Sequence, residues 1–348
     1  MTLEYLIETL VKIFIVINVV LITVSFLVYM ERKISAWVQD RIGPNRVGPA
    51  GLLQSFADVF KLLLKEDIVP TAAEKGFHRL APIISLSVAL CMYALIPFGD
   101  HIMIAGYDVA LVIVPNVNIG ILFIFALSSL GVYGVTLSGW ASNNKYSLMG
   151  GLRSSAQMLS YELSLGLSVI GVLMIAGTLQ LNGIIHVQQR YLFGFLPAWN
   201  VFLQPVGFVI FVIAMFAETN RAPFDLPEAE PELVGGFHTE YSGLKFGMFF
   251  LAEYANIITA SALITVLFCG GWQIPYAEHL GLSGTMLSLA EVLAFVLKVS
   301  FWLFIFILVR WTVPRFRYDQ LMRIGWKVML PLALANIIVT AVIMQLVK

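Results

Sequence analysis

Cysteine and histidine are both scarce in this chain of 348 residues. The two cysteines, Cys91 and Cys269, lie in apolar runs, and the five histidines are scattered without the spacing of a metal site. Two thiolates cannot ligate an iron–sulfur cluster of the usual four-cysteine kind. A glycine-rich phosphate loop is also missing. If the chain serves redox chemistry, we expect the redox centres to be bound by other proteins.

Charge is the second property that the sequence has little of. Only 12% of the residues are charged and 59% are hydrophobic, which lies well outside the composition of soluble globular domains. The 21 basic residues balance the 21 acidic ones, so net charge does not indicate a nucleic-acid partner. The start of the chain lacks the basic region and cleavage site of a signal peptide. We therefore expect a membrane protein with a retained first helix.

Long apolar runs recur along the chain. A bilayer core needs roughly 20 apolar residues per helix, and none of the runs alternates with the period of two typical of a barrel strand. Backbone groups must be paired in lipid, so each run should be helical. The predicted fold is an all-α membrane protein with a bundle of about eight transmembrane helices. They lie near residues 5–30, 79–98, 117–140, 158–180, 199–218, 245–269, 287–311 and 326–347.

The distribution of lysine and arginine predicts the orientation of this bundle. These residues concentrate in the connections that follow the first, third, fifth and seventh spans, and the opposite side carries only Arg190 and Lys348. The positive-inside rule then places those connections in the cytoplasm and both termini on the outer side. We expect one integral membrane domain, 1–348, with long ordered cytoplasmic loops at 31–78 and 217–244.

The first cytoplasmic loop has a pattern of its own. Its glycine- and proline-rich stretch DRIGPNRVGP, residues 40–49, predicts irregular, turn-rich backbone. Residues 51–67 then repeat at helical spacing and are too short and too charged to span a membrane. An amphipathic helix in the membrane interface is the natural interpretation, and a helix packed on another subunit is the alternative. Its apolar face would carry Leu52, Phe56, Val59, Phe60 and Leu63.

The later loop is crowded with acids. The stretch AETNRAPFDLPEAEPELVGGFHTEYSG, residues 217–243, holds one arginine and no lysine, and its prolines at 223, 227 and 231 predict an ordered irregular loop. A freely hydrated loop is one interpretation. The other is a half-buried cluster in which repelling carboxylates raise one another's pKa and exchange protons. The acids are Glu218, Asp225, Glu228, Glu230, Glu232 and Glu240.

Several ionisable residues lie inside predicted spans, among them Glu162, Glu253 and Lys298, whereas Glu291 and Lys12 can extend to the membrane interface. Charges at such depth are costly and mark functional sites by default. For Lys298, a structural pair with a carboxylate of a neighbouring helix is an equally good interpretation.

Several long motifs resemble one family. They are YMERKISAWVQDRIGPNRVGPAGLLQSFADVFKLLLKED (29–67), LRSSAQMLSYE (152–162), the acidic stretch 217–243, FFLAEYAN (249–256) and VPRFRYDQLMRIGWK (313–327). In this order they are similar to the membrane "heel" subunit, known as the H subunit, of respiratory complex I, the proton-pumping NADH:quinone oxidoreductase. The resemblance covers nearly the whole chain.

This resemblance implies a function. Such a subunit would join the hydrophilic arm to the membrane arm, form the entry and wall of the quinone chamber, and start a line of carboxylates that couples quinone reduction to proton translocation. It would have no complete active site and bind no cofactor alone. Quinone would be the substrate, and FMN and iron–sulfur clusters would lie in partner subunits. The implied partners are peripheral-arm subunits B, C/D and I, membrane subunits A, J and K, and lipid in a bacterial inner membrane.

The resemblance also implies roles for individual residues. The quinone-chamber residues would be Glu31, Arg32, Arg41, Asp58, Arg221, Phe224 and Asp225. The proton-path residues would be Glu162, Glu218, Glu228, Glu230, Glu232 and Glu253.

Other classes of protein would share some of these features. The heel subunit of a related membrane-bound hydrogenase is one alternative, although the RIGPNRVG and PFDLPE stretches favour the quinone enzyme. A stand-alone ion-coupled transporter usually shows an internal repeat with broken helices at matched positions, which we do not find here. A structural anchor would tolerate neutralisation of its buried carboxylates.

Overall fold

The computed structural model describes residues 3–104, 107–115, 117–192, 194–225, 234–277 and 284–347, and helices dominate this part of the chain. The helices are α1 (Leu3–Val38), α2 (Gln54–Leu64), α3 (Lys75–Cys91), α4 (Gly120–Ala141), α5 (Lys145–Ala176), α6 (Leu181–Val187), α7 (Asn200–Leu203), α8 (Pro205–Glu218), α9 (Gly243–Phe268), α10 (Thr285–Thr312), α11 (Tyr318–Ile324) and α12 (Leu330–Val347). A π-helical segment, Gly325–Met329, joins α11 to α12.

Short antiparallel hairpins lie in two of the connections predicted to face outward. In the first, β1 (His101–Ile104) pairs with β2 (Tyr107–Ala110). In the second, β3 (Tyr191–Leu192) pairs with β4 (Leu196–Pro197).

Seven helical segments of the described ranges are long and apolar enough to cross a membrane. They are Tyr5–Val38, Lys75–Ala94, Gly120–Ala141, Lys145–Ala176, Gly243–Phe268, Thr285–Thr312 and Tyr318–Leu346. A multi-pass, mostly helical membrane protein is therefore confirmed, and seven of the eight predicted spans correspond to such a helix.

The remaining predicted span, 199–218, is broken into two helices. Proline has no backbone N–H and favours the first turn of a helix, so Pro205 starts α8 after the short α7 has ended. The 14 residues of α8 form an apolar helix. At about 1.5 Å per residue it is about 21 Å long, which is less than the roughly 30 Å of a bilayer core.

Helix α9 is the central element of the bundle. In its most apolar window 78% of the residues are buried, whereas the other candidate spans reach 17–50%. Its main neighbours are α3 and α10, and it also touches α1, α2, α6 and α8. The acidic residue of α9, Glu253, therefore lies in the interior of the protein and not at the lipid surface.

Helices α4 and α5 approach each other closely at two glycines. A Cβ atom added to Gly139 would lie 2.6 Å from the carbonyl oxygen of Ser147 and 3.2 Å from the Cα of Gly151. Small residues of this kind let helix backbones come together in membranes. This contact fixes α5, which carries Glu162, against α4.

The predicted amphipathic helix is present as α2. It is shorter than the predicted range 51–67, because the backbone turns sharply just before it. Gly51 has φ +83°, and a Cβ there would lie 2.2 Å from the carbonyl oxygen of Pro44. Helix α2 rests on α1 and α9. The apolar residues Phe56, Val59, Phe60 and Leu63 remain exposed.

Candidate functional site

Arg221 lies between two carboxylates in the interior of the bundle. Its Nη1 donates to both carboxylate oxygens of Glu31 at 3.0 Å, and its Nε lies 2.5 Å from Oε1 of Glu253. Only 4% of Arg221 is exposed. Burial alone would lower the pKa of this guanidinium, but the carboxylates of Glu253 and Glu31 more than compensate and hold the pKa above its usual value. Arg221 is therefore a permanent positive charge that joins α1 to α9.

The backbone around Arg221 is held by a glutamine of α5. Gln157 is fully buried, and its Nε2 donates to the carbonyl oxygens of Ala217 at 2.8 Å and Phe224 at 2.7 Å. These two carbonyls lie on either side of the turn that follows α8. The turn includes Asn220, whose φ is +50°. Gln157 thus fixes the direction in which Arg221 leaves the helix end.

Glu31 accepts hydrogen bonds from two further residues. Arg310 Nη1 lies 2.6 Å from its Oε1, and the hydroxyl of Tyr254 donates to its Oε2 at 2.5 Å. The guanidinium of Arg221 lies over the ring of Tyr254, 4.3 Å from its centroid. The resulting ion network (Glu31, Arg221, Glu253, Tyr254 and Arg310) connects α1, α9 and α10 through the turn after α8.

Sequence reasoning missed two members of the ion network. Arg310 entered only as one of the positive charges that set the predicted orientation. Its place at the end of a span, where an arginine can reach a buried acid, was the available signal. Tyr254 directly follows Glu253 in the motif AEY, but its phenol carries no formal charge that would single it out.

Other predicted chamber residues form pairs around the ion network. Arg32 Nη1 lies 2.6 Å from Oδ2 of Asp58, which ties α1 to α2. Arg315 Nη2 donates to Oδ2 of the buried Asp225 at 2.9 Å. The ring of Phe224 is buried as well.

Two aromatic neighbours enclose Phe224, and one predicted residue lies apart. The ring centroids of Tyr161 and Phe316 are 5.4 Å and 5.5 Å from that of Phe224. Arg41, by contrast, is exposed, and its Nε donates to Gln39 at 2.7 Å. The structure therefore does not bring Arg41 into the ion network.

A cavity of about 90 Å³ lies on the other side of Glu253. Both Glu218 and Glu253 line it, together with residues of α3, α4, α5 and α9. Four of its lining residues have a buried polar atom without a hydrogen-bond partner in the described part of the chain: Ser85 Oγ, Glu218 Oε2, Asn256 Oδ1 and Thr259 Oγ1. Buried polar groups without protein partners are the places where bound water is typically found.

Glu162 lies next to this cavity and also faces the outside of the bundle. The hydroxyl of Ser129 donates to its carboxylate, and the adjacent Ser128 lines the cavity. Glu162 and Glu218 are close enough to interact electrostatically. Glu162 also lines an open groove of about 750 Å³ on the lateral surface, beside Trp326.

The remaining predicted acids are separate from the cavity or outside the described residues. Glu228, Glu230 and Glu232 fall in 226–233, which the structure does not describe. Glu240 accepts a hydrogen bond from Asn144 Nδ2 at 2.6 Å, at the N-terminal end of α5.

Among the residues that the structure describes, Lys298 has no carboxylate partner, contrary to the interpretation as a structural pair. The Nζ of Lys298 donates to three backbone carbonyls just past the end of α9, those of Cys269, Gly271 and Gln273, at 2.8–2.9 Å. It also lies 4.5 Å from a ring centroid of Trp199. Carbonyls at a helix C-terminus carry partial negative charge and satisfy a lysine without any acid. Lys298 is therefore a structural cap of α9.

No group of three or more histidine, cysteine, aspartate or glutamate residues able to hold a metal ion occurs among the residues that the structure describes.

Comparison with known proteins assigns the family. A family model described as NADH dehydrogenase matches residues 11–341. The chain belongs to the NADH dehydrogenase family. This membership confirms the resemblance drawn from the sequence motifs.

Members of the NADH dehydrogenase family from several bacteria are similar over almost the whole chain. NADH-quinone oxidoreductase subunit 8 of Rhodothermus marinus is 53% identical over 335 residues, which cover 94% of both chains. The NADH-quinone oxidoreductase H subunit of Salinibacter ruber is 52% identical over 334 residues, covering 94% of this chain and 93% of the relative. The first of the H subunits of Cytophaga hutchinsonii is 48% identical over 337 residues, covering 97% and 96%.

Proposed function

We propose that this chain is the membrane subunit of NADH:quinone oxidoreductase that forms the quinone entry and chamber wall and starts the proton-linked carboxylate path. One observation carries the proposal. Arg221 contacts Glu31 on one side and Glu253 on the other, so a single buried cation joins the proposed chamber to the proposed path. A change of charge in the chamber would therefore alter the forces on Glu253 directly.

The quinone would enter beside α2. A lipid-soluble quinone needs an apolar passage for its isoprenoid tail, opening at the depth of the membrane. The exposed apolar face of α2 supplies such a surface, and α2 packs on α1 and α9, the helices that carry Glu31 and Glu253. The pair of Arg32 and Asp58 holds α2 in that place. The charged residues of the chamber would then bind the quinone headgroup, and the forces on them would change when the headgroup is reduced.

Protons would move through the cavity beyond Glu253. One water molecule needs roughly 10–15 Å³ of such volume, so about 90 Å³ is sufficient for several. Water there would satisfy the buried atoms of Ser85, Glu218 and Asn256 and join Glu253 to Glu218. Ser128 and Ser129 then lead to Glu162. Glu228, Glu230 and Glu232 would be the section of the path on the cytoplasmic side.

The proposal assigns the remaining chemistry to partner subunits. Electrons would arrive from NADH through FMN and iron–sulfur clusters that other chains bind, and quinone would be the substrate. The partners would be peripheral-arm subunits B, C/D and I and membrane subunits A, J and K, in a bacterial inner membrane. The relatives named above are all NADH-quinone oxidoreductase subunits. Their names favour the quinone enzyme over the hydrogenase subunit and over a stand-alone transporter.

Neutralising Glu253 tests the proposal. In the whole complex reconstituted into vesicles, Glu253→Gln should lose quinone-linked proton pumping while all subunits remain assembled. Glu240→Gln is the matched control, because Glu240 lies in the same acidic stretch but bonds to Asn144 and does not line the cavity. Normal pumping by an intact Glu253→Gln complex would refute the proposed path.

A further inference from the structure

Tyr254 contacts both Glu31 and Arg221 in the ion network. It is 3% exposed, its hydroxyl donates to Glu31 Oε2 at 2.5 Å, and the guanidinium of Arg221 lies 4.3 Å from its ring centroid. On α9 it directly follows Glu253, which contacts the same guanidinium. Tyr254 therefore contacts Glu31, the acid on the proposed chamber side, and Arg221, the cation that joins Glu31 to the proposed path.

The hydroxyl and the ring of Tyr254 do different things. Arg310 contacts Oε1 of Glu31, whereas Tyr254 contacts Oε2, so the tyrosine hydroxyl fixes how the carboxylate is turned. The ring offers its electron-rich face to the guanidinium of Arg221, a cation–π contact that is strongest when desolvated. The ring thus holds Arg221 at the height from which its Nε reaches Glu253.

We propose that Tyr254 is a positioning residue for coupling: its hydroxyl and ring together keep Arg221 in contact with Glu31 and Glu253 at the same time. Without the hydroxyl, the carboxylate of Glu31 can turn away from Arg221. Without the ring, the guanidinium can move toward one acid and leave the other. This inference rests on the proposed function and adds to it a side chain that neither binds quinone nor carries the proton.

The test replaces Tyr254 by phenylalanine, which removes the hydroxyl and keeps the ring. Tyr93→Phe is a closely matched control, since Tyr93 is equally buried and its hydroxyl donates to the Ala255 carbonyl of the same helix at 2.7 Å. In reconstituted complex, Tyr254→Phe should lower the rate of quinone-linked proton pumping roughly tenfold, the size expected for one hydrogen bond to a charged group. Tyr93→Phe should keep the wild-type rate.

Two further readouts separate positioning from a general structural role. The KM for quinone and the oxidation of NADH by a soluble acceptor should stay within about twofold of wild type in Tyr254→Phe, whereas misassembly would lower the acceptor activity as well. Tyr254→Leu, which also removes the ring, should lose more pumping than Tyr254→Phe. Equal losses in the two variants would overturn the role assigned to the ring.

The remaining outcomes are equally decisive. Normal pumping by Tyr254→Phe, or equal loss in Tyr93→Phe, would overturn the positioning role. Measuring pumping by Glu253→Gln in the same assay distinguishes a failure of the Tyr254 proposal from a failure of the proposed function. If Glu253→Gln stops pumping and Tyr254→Phe does not, the path stands and only the role of Tyr254 falls.

Discussion

Glu253 and Arg221 are in direct contact, with 2.5 Å between Oε1 of the acid and Nε of the arginine, although one lies on a long apolar helix and the other in the turn after α8. The same guanidinium also holds Glu31 of α1. Both carboxylates thus contact one buried cation, and Glu31 also pairs with Arg310. Removing Arg221 would take a buried counter-charge from both acids, which is more costly than losing a surface pair.

Replacing Arg221 by alanine should therefore stop quinone chemistry selectively. We expect the rate of NADH:quinone reduction to fall about a hundredfold or more, because breaking a buried ion pair costs about 3–5 kcal/mol. Oxidation of NADH by a soluble acceptor should persist, since the partner chains carry that step. Arg317→Ala is the control, because Arg317 is exposed and lies 3.1 Å from the equally exposed Asp319. Equal loss of both activities in Arg221→Ala would indicate misassembly instead.

Lining the cavity with an apolar side chain should interrupt the proposed water chain. Asn256→Leu removes a polar group from the wall and should slow proton pumping while quinone binding, measured as KM, stays the same. Ser261→Ala is the comparison, because Ser261 is a buried polar residue of the same helix that bonds to Ile257 and does not line the cavity. Unchanged pumping in Asn256→Leu would count against a hydrated route.

Lys298→Met should act on stability and not on chemistry. Its loss leaves three carbonyls without their shared donor, and an unsatisfied buried group costs about 1–3 kcal/mol. The thermal inactivation temperature of the complex should fall, whereas the number of protons pumped per NADH oxidised should stay unchanged. Lys12→Met is the matched lysine, because Lys12 pairs with Glu8 one turn away and such pairs contribute only about 0.3–0.5 kcal/mol. If Lys298→Met pumps fewer protons per NADH oxidised, the lysine has a role in coupling besides capping α9.

Gly51→Ala should disturb the quinone entry through the placement of α2. The methyl group would collide with the carbonyl of Pro44 at a residue with φ +83°, a backbone conformation that costs about 1–3 kcal/mol for other residues. We expect the KM for quinone to rise and the oxidation of NADH by a soluble acceptor to stay normal. Gly76→Ala should have no effect, since an added Cβ meets no atom within 4 Å. A normal KM for quinone in Gly51→Ala would show that the placement of α2 does not affect quinone entry.

The fold could be predicted from the sequence to the extent that hydrophobic length determines it. Seven of the predicted spans correspond to long apolar helices because roughly 20 apolar residues can satisfy a bilayer only as a helix. The broken span at 199–218 was missed, since a run of apolar residues does not reveal where Pro205 restarts the helix.

The candidate site was predictable in its charged residues and not in their partners. Glu31, Arg221 and Glu253 came from motifs, and the structure brings them together. Which donors complete the ion network depends on how helices far apart in sequence cross. The Lys298 ammonium is bound by backbone carbonyls and not by an acid. Every residue has a backbone carbonyl, so the sequence does not indicate which ones will accept a hydrogen bond.

The enclosure of α9 limits how other subunits can respond to Glu253. Neighbouring helices surround that helix, so a partner chain has little surface on α9 to touch. Glu162, in contrast, lines a groove that is open at the side of the bundle. On the proposed path, a change at Glu253 would therefore reach another subunit through intervening side chains. The lateral groove beside Glu162 is a surface where a neighbouring chain in the bilayer could contact them.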